Sequence, residues 1–292
     1  MKRNWLVMVT LIGSLLVTAA FGQEELSNDA KMAFNEGNKS LKARNFSEAI
    51  THYRKATELS PDFANAHYWL GYALYFGERD YAAAAAEFKT ATEKDPQFVK
   101  AYNWLGKAQL KIQNYAAAHD AFEKATEVDP QDSEGFTGLG DVHRQQGEHT
   151  RAVSFYTKAT EIDSQDEDAW LGLGQSQVEL GKHAEAAAAF QNAAENERSA
   201  STKANIFRLM GDSFVQVGQY DNAESAYNES LNLARRSAIK AAANFGLGEV
   251  YKKRGQAQTA IQYYAEAAKD RNWKRSAEHE IDILKNPDKY AY

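Results

Sequence analysis

The sequence has no cysteine and only four prolines in 292 residues. Without cysteine the chain cannot form disulfides, thiolate zinc sites or a lipidated N-terminal cysteine, and it has no cysteine nucleophile. A formal net charge of −6 argues against non-specific nucleic-acid binding, which requires many cationic contacts to phosphate. Charged residues at 25% and hydrophobic residues at 43% are typical of a soluble, folded protein rather than a disordered one.

Long apolar runs are also scarce, and the one that stands out lies at the N-terminus, from Trp5 to Ala20. It follows Lys2 and Arg3 and ends in the stretch Ala20-Phe21-Gly22. A charged start, an apolar centre and a small-residue end are the three parts of a secretory signal peptide. The sequence therefore predicts a signal peptide over residues 1–22, a linker over residues 23–29, and an exported protein in the periplasm, the cell envelope or the secreted fraction.

The alternative for this segment is an uncleaved membrane anchor. A spanning helix needs about 20 apolar residues, whereas this run is shorter and is interrupted by Gly13 and Ser14. Both features favour cleavage over anchoring. We therefore expect no stable membrane span once the signal peptide has been removed.

Glycine recurs along the rest of the chain with a nearly constant period. Seven glycines follow one another at spacings of 34, 35, 34, 34, 37 and 37 residues, namely Gly37, Gly71, Gly106, Gly140, Gly174, Gly211 and Gly248. An alanine follows each of them after 12 or 13 residues, and an aromatic residue stands four positions beyond that alanine. Self-similarity at a fixed period of this length predicts a solenoid.

One unit of this pattern predicts a pair of helices. Trp170, Leu173 and Gly174 fall on one face of a first helix, and Ala186 and Phe190 fall on one face of a second. A glycine inside a helix lowers its stability by about 1 kcal/mol relative to alanine. Because every unit keeps this glycine, we expect close packing within the pair to outweigh that loss, and a bulky residue there to overpack the site.

The stretch Trp170-x-x-Leu173-Gly174, followed by Ala186-x-x-x-Phe190, resembles the tetratricopeptide repeat, whose pattern is W-x-x-L-G-x-x-Y, then A-x-x-x-F and a final proline. The resemblance implies an all-α fold, a right-handed α-solenoid of tandem helix-turn-helix repeats. We place seven repeats at residues 30–63, 64–98, 99–132, 133–166, 167–203, 204–240 and 241–274, and a C-terminal capping helix with a tail at residues 275–292.

Two irregularities in the spacing carry structural predictions. The second unit has one extra residue near positions 76–78, which we interpret as a longer turn between its two helices. Three extra residues enter each 37-residue spacing, around 196–203 and 233–240, and three residues approximate one helical turn. We therefore expect lengthened helices at these two junctions, with a local change in the pitch of the superhelix.

The sequence shows no catalytic or metal-binding pattern. Gly138-x-Gly140 and similar pairs lie within predicted helices at the repeat period, not between a strand and a helix as a phosphate-binding loop requires. The seven histidines form no H-E-x-x-H signature, and a serine nucleophile elbow is absent. We expect a protein that is not an enzyme and that has no cofactor and no metal site.

The resemblance implies that the first helices line a concave surface, where family members bind extended or helical peptides. In the second and third units this surface combines tyrosines with lysines, which favours an acidic or C-terminal peptide segment. A solvated lysine face beside partly buried tyrosines is the alternative interpretation. The candidate binding residues are Tyr68, Tyr72, Tyr75, Lys100, Asn103, Lys107, Lys111, Arg144 and Arg208.

The leading hypothesis for function is an exported, non-catalytic scaffold or adaptor that mediates protein–protein or protein–peptide interaction through the concave face. Its partner would be a protein or a peptide, not nucleic acid. Two alternatives stay open. One is a glycan- or cell-wall-binding protein whose tyrosines stack on sugar rings, and the other is an envelope protein that assembles with copies of itself.

Overall fold

A computed structural model describes residues 26–290 of the protein, and within this range the chain is helical with no strand. The predicted signal peptide, and residues 23–25 of the predicted linker, lie outside the described residues. The α-helices are α1 (Asn28–Lys42), α2 (Phe46–Leu59), α3 (Ala64–Ala73), α4 (Tyr81–Lys94), α5 (Val99–Lys111), α6 (Tyr115–Val128), α7 (Ser133–Gln145), α8 (His149–Ile162), α9 (Glu167–Glu179), α10 (His183–Asn196), α11 (Ala200–Gln216), α12 (Tyr220–Leu233), α13 (Ser237–Lys253), α14 (Ala257–Ala267) and α15 (Lys274–Lys285). A π-helical turn spans Leu74–Glu78, and a 3-10 turn spans Pro287–Lys289.

The helices form consecutive pairs, from α1 with α2 to α13 with α14, and each pair packs against the next. We number these pairs units 1 to 7 and call their members first and second helices. First helices of neighbouring units also contact each other, as α5 does with α7 and α11 with α13, whereas second helices of neighbouring units have no comparable contact within residues 26–290. In a curved stack the helices that touch lie on the inner side, so the first helices line the inner surface. The solenoid of paired helices predicted from the sequence is confirmed.

The repeating glycine of each first helix makes room for the aromatic ring of its own second helix. A Cβ atom added at Gly174 would lie 2.6 Å from Cε1 of Phe190, and one added at Gly140 would lie 2.7 Å from Cδ1 of Tyr156. All seven of these rings are buried, and none is more than 1% exposed. A side chain in place of the glycine would overlap the ring, so the gain in packing outweighs the loss of helix propensity.

Three of the rings also meet a glycine of the following unit. These glycines stand two residues before the repeating glycine, and the pairs are Gly138 with Phe122, Gly172 with Tyr156 and Gly246 with Tyr227. A Cβ atom added at Gly138 would lie only 2.2 Å from Cε1 of Phe122. Units 2 and 3 carry Trp69 and Trp104 at the same position, so their junctions are built differently.

The extra residue of unit 2 lies inside the first helix and not in the turn, so the predicted longer turn is wrong. The residue is absorbed by the π-helical turn Leu74–Glu78, which continues directly from α3. The following turn keeps the form found in the other units. Arg79 has a φ of +56°, and the side chain of Asp80 accepts a hydrogen bond from Ala83 N at 3.0 Å. A π-bulge accommodates an inserted residue while the helix continues.

The turns inside the units all contain one residue in the left-handed region. In units 4 to 7 this residue is glycine, for example Gly147 at a φ of +77°. In units 1 to 3 it is Arg44, Arg79 or Gln113, with φ values between 56° and 60°. A residue with a Cβ atom loses roughly 1–2 kcal/mol in this conformation. The three N-terminal units therefore keep the common turn at a higher conformational energy.

The lengthened helices predicted at two junctions are present. α11 and α13 are each 17 residues long, against 13 residues for α5, α7 and α9. They begin at Ala200 and Ser237, so the predicted repeat boundaries at 203/204 and 240/241 fall inside helices and are corrected. The extra residues add about one turn to the start of each first helix.

Both ends of the array are closed by local interactions. α1 begins at Asn28, inside the predicted linker, because Oγ of Ser27 accepts a hydrogen bond from Ala30 N at 3.1 Å and caps the helix. At the other end α15 buries Ala277 against the cluster around Tyr264 and so covers the last pair.

None of the helices in residues 26–290 has the length and apolar character needed to cross a bilayer.

Candidate functional site

Three of the nine candidate residues lie together around a groove of about 320 Å³ on the first-helix surface. They are Tyr75 from the π-helical turn and Lys107 and Lys111 from α5. The other residues that line this groove are Leu110, Gln113, Asp141 and Gln145. We call it the unit 2–4 groove, because its residues come from units 2, 3 and 4.

An aromatic cluster adjoins the groove. It consists of Tyr72, Tyr75, Phe76 and Trp104, and Tyr75 belongs to both. The ring centroid of Tyr75 lies 5.0 Å from that of Phe76 and 5.3 Å from that of Trp104. Phe76 is 44% exposed. The π-helical turn carries two of the four rings, so the inserted residue of unit 2 contributes an aromatic surface beside the groove.

The lysines of the candidate site differ in their partners. Nζ of Lys107 forms an ion pair with Glu134 and lies 4.8 Å from the centroid of the Trp104 ring. Lys100 and Lys111 are exposed, and neither has an ion pair within residues 26–290. Of these two, only Lys111 lines the groove. Lys111 is therefore the groove cation whose charge is available to a ligand.

The two candidate arginines are engaged by carboxylates of their own helices. Nε of Arg144 donates to Oη of Tyr156 at 3.0 Å, and Nη2 of Arg144 donates to Oδ1 of Asp141 at 3.1 Å. Arg208 forms an ion pair with Asp212. These guanidinium groups neutralise partly buried acids, so the predicted role of Arg144 and Arg208 as ligand cations finds no support in their contacts.

Tyr68 and Asn103 are buried, and their predicted placement on an open surface is wrong. Tyr68 is 6% exposed, its ring centroid lies 4.9 Å from that of Phe98, and burial raises its pKa to about 12. Asn103 is fully buried, and its Nδ2 donates to Oδ2 of Asp132 at 2.7 Å. Both stand three residues before the repeating glycine, at a position that packs against the following unit.

Four units share a hydroxyl–acceptor pair at a buried tyrosine ring, and the sequence analysis missed it. In each, the second-helix ring is a tyrosine whose hydroxyl donates to the side chain directly after the repeating glycine. The pairs are Tyr53 with Asn38 at 2.8 Å, Tyr156 with Asp141 at 2.6 Å, Tyr227 with Asp212 at 2.7 Å, and Tyr264 with Glu249. Burial raises the pKa of all four tyrosines, so the hydroxyls stay protonated and act as donors.

The signal for these pairs is present in the sequence. The three units whose ring is a phenylalanine have Tyr72, Lys107 or Gln175 after the glycine, and none of these is a carboxylate or an asparagine. A carboxylate or an asparagine therefore follows the repeating glycine only in the units whose second-helix ring carries a hydroxyl. Burial also raises the pKa of Asp212, although Arg208 and Tyr227 favour its charged form.

A group of possible metal ligands occurs on α6, although the sequence predicted no metal site. His119, Asp120 and Glu123 can each place one ligand atom within 4.8 Å of the others. Asp120 and Glu123 are exposed, and exposed acidic groups of this kind are common on helix surfaces. We assign no metal site to them.

Family models of the tetratricopeptide repeat match the chain over most of its length. One, described as TPR repeat, covers residues 39–76, and three described as tetratricopeptide repeat cover residues 74–118 and 105–167, 143–206, and 202–271. The matched segments overlap and run without a gap from residue 39 to residue 271. A search of curated proteins found no match.

Solved structures resemble the chain over its repeats. A crystal structure of the MamA protein is 26% identical with a TM-score of 0.52, and the match covers 58% of this chain and 92% of that one. PilF of Pseudomonas aeruginosa is 20% identical with a TM-score of 0.60, covering 70% of this chain and 91% of that one. The C-terminal part of a TPR repeat-containing protein from Cytophaga hutchinsonii is 15% identical with a TM-score of 0.66, covering 85% and 99%. The last two show the fold alone.

Proposed function

Since the chain belongs to the tetratricopeptide-repeat family, we propose that it is an exported, non-catalytic scaffold that holds a protein partner in the unit 2–4 groove. The family repeats and the similar solved structures support a protein-interaction scaffold. The observation that carries the choice of surface is the aromatic cluster beside Lys111, a cation that has no ion pair within residues 26–290. Aromatic side chains are enriched at the centres of protein interfaces, where they contribute most of the binding energy.

The pairing of two of the groove's ionisable groups, Lys107 and Asp141, supports a non-catalytic role. Lys107 is neutralised by Glu134, and Asp141 accepts hydrogen bonds from Tyr156 and Arg144. General acid–base catalysis needs a titratable group that is free to exchange a proton with the substrate. Groups that are already paired instead fix the shape and the charge distribution of the groove wall, which suits recognition of a ligand.

Site-specific photo-crosslinking tests the proposed surface. A photoreactive residue in place of Gln145, which lines the groove, should form an adduct with a partner protein in an envelope extract. Gln216 is the matched control, because it is also an exposed glutamine five residues after the repeating glycine of its unit. Adducts at both positions, or at Gln216 alone, would mean that the unit 2–4 groove is not the binding site.

Export is tested on the protein produced in its own host. Mass measurement of the protein recovered outside the cytoplasm should give a chain that begins at Gln23. A Leu11→Arg substitution places a charge in the apolar run and should block export, because the apolar centre of a signal peptide is what the export machinery recognises. Recovery of an intact N-terminus in the membrane fraction would support the anchor instead.

A glycan ligand is the second candidate, and the exposed ring of Phe76 beside Tyr72 is the observation that favours it. Exposed aromatic rings can stack on sugar faces. Titration with cell-wall fragments should then change the tryptophan fluorescence, since Trp104 belongs to the same cluster. A response that persists in Phe76→Ala, or no response at all, would remove this candidate.

A further inference from the structure

We propose that the ligand of the unit 2–4 groove is an internal, extended segment of the partner protein, in which one large apolar side chain stands next to a single aspartate or glutamate. This inference rests on the proposed function and specifies the chemistry of its partner. It follows from the size of the groove, from the pairing of its charges and from the position of its aromatic wall.

The size of the groove limits how much of a ligand it can hold. Its volume of about 320 Å³ is near the lower end for ligand sites in proteins, which run from roughly 300 to 1,000 Å³. A groove of this size accommodates about one large side chain with part of its backbone. The remainder of the segment must lie along the open first-helix surface, and an extended chain does this without further space.

The charge of the groove calls for one carboxylate. Its lining includes two lysines and one aspartate, but Lys107 is paired with Glu134 and Asp141 is paired with Arg144. Lys111 has no such partner within residues 26–290. A ligand with one acidic group can therefore pair with Lys111, whereas a second acidic group would meet no further unpaired cation among the described residues that line the groove.

The apolar side chain has a wall to pack against. Tyr75 lines the groove and contacts both Phe76 and Trp104, and Leu110 lies on the α5 side. An aromatic or large aliphatic side chain in the groove would pack against the ring of Tyr75, which Phe76 and Trp104 support from behind. Burying a side chain of that size supplies more free energy than a single exposed ion pair does. The apolar residue should therefore set the affinity, and the acidic neighbour should set the specificity.

The donors that could hold a terminal carboxylate already bind other groups of the protein, so the ligand's carboxylate belongs to a side chain. A terminal carboxylate is held best by several donors together. Here the amide of Asn103 is buried and donates to Asp132, and Arg144 is bound to Asp141 and Tyr156. The remaining cation of the groove, Lys111, can pair with one acidic side chain of the ligand. The amides of Gln113 and Gln145 also line the groove and are suited to hydrogen bonds with a peptide backbone that continues in both directions.

Selection from a random peptide library tests the inference. The peptides, of about twelve residues, are displayed so that their C-terminus is joined to the carrier and no free carboxylate is offered. The natural-sequence protein should enrich peptides with an aromatic or large aliphatic residue beside Asp or Glu. The same selection on Lys111→Glu should instead enrich Lys or Arg at that place, because the charge of the site has been reversed.

A matched control separates the site from the general field of the protein. Lys253 is exposed and occupies the same position in unit 7 as Lys111 does in unit 3, five residues after the repeating glycine. For a synthetic peptide from the selection, Lys111→Glu should weaken the dissociation constant roughly fivefold or more, and Lys253→Glu should leave it within a factor of about two. The peptide should bind equally as the free acid and as the C-terminal amide.

The possible failures are distinguishable. If the selection enriches no peptides, the proposed function itself is contradicted, because the groove does not bind peptide. If peptides are enriched but carry no acidic residue, or if Lys253→Glu weakens binding as much as Lys111→Glu, the scaffold role stands and the inference is wrong. Binding that is lost in the amide form would assign the carboxylate to a chain terminus and would likewise contradict the inference.

Discussion

Units 2 and 3 differ from units 4 and 5 in the residue that stands two positions before the repeating glycine. Units 4 and 5 have Gly138 and Gly172 there, and each of these glycines receives the ring of the preceding unit. Units 2 and 3 have Trp69 and Trp104, and Trp104 lies over the ring of Phe88 with centroids 6.1 Å apart. The glycine junctions gain tight contact between units. The tryptophan junctions leave aromatic side chains near the inner surface of the solenoid, where a partner can pack against them.

The strongest test of this difference is Gly138→Ala. An alanine normally stabilises a helix by about 1 kcal/mol relative to glycine, but here its Cβ would lie 2.2 Å from Cε1 of Phe122. We expect the free energy of unfolding to fall by about 1–3 kcal/mol instead, measured by urea denaturation followed by circular dichroism.

The partner substitution shows whether overlap is the cause. Phe122→Leu removes the ring, so the double variant Gly138→Ala/Phe122→Leu should lose less stability than the sum of the two single variants. Simple additivity would mean that the Gly138–Phe122 contact does not explain the loss.

The hydroxyl–acceptor pairs give the next largest expected effect. Tyr227→Phe removes the hydroxyl that donates to Asp212 at 2.7 Å and leaves a partly buried carboxylate with fewer hydrogen bonds. We expect a loss of about 1–2 kcal/mol, seen most clearly as faster hydrogen exchange in unit 6. The control is Tyr102→Phe, whose hydroxyl has no hydrogen bond within residues 26–290. Equal losses in the two variants would contradict the assigned role of the pair.

Deletion of Phe76 converts unit 2 towards the pattern of the other units. It removes the residue that the π-helical turn accommodates, so the glycine spacing falls from 35 to 34 and the helix can continue as an ordinary α-helix. We expect the helical circular dichroism to persist and the stability to change by about 1 kcal/mol or less. Binding of a selected peptide should be lost, and retained binding would show that the aromatic cluster is not part of the site.

The smallest expected effect concerns the turns of the N-terminal units. Arg79 has a φ of +56°, and Arg79→Gly should raise the free energy of unfolding by roughly 0.5–1 kcal/mol, because relief of strain exceeds the entropy that glycine adds to the unfolded chain. Gly147→Ala at the equivalent turn should act in the opposite direction by a similar amount. Two shifts of the same sign would show that the turns of the two regions are not equivalent.

The fold could be predicted from the sequence because packing repeats at a fixed period. A glycine at the position of Gly174 and an aromatic ring at the position of Phe190 recur in register in every unit, and the close approach between them is local to a helix pair. The candidate site was less predictable. Spacing places Tyr68 and Asn103 on a first helix, but only the neighbouring unit buries them, and that contact spans about one repeat of sequence.

The π-helical turn could not be predicted from spacing, since an inserted residue fits a turn or a helix equally well in the sequence pattern. The exposure of Phe76 depends on that choice. The hydroxyl–acceptor pairs were within reach, because tyrosine on the second helix coincides with Asn38, Asp141, Asp212 or Glu249 after the glycine. Comparing the units with each other, instead of with a general pattern, would have revealed them.

The bulge in unit 2 shows how such an array can acquire a new binding preference. Because the inserted residue is taken up before the turn, the helix pairs on either side remain stacked as they are elsewhere in the solenoid. Recognition and architecture can then change independently. One inserted residue changes which side chains contact a bound partner. Every other first helix offers an equivalent place for such an insertion.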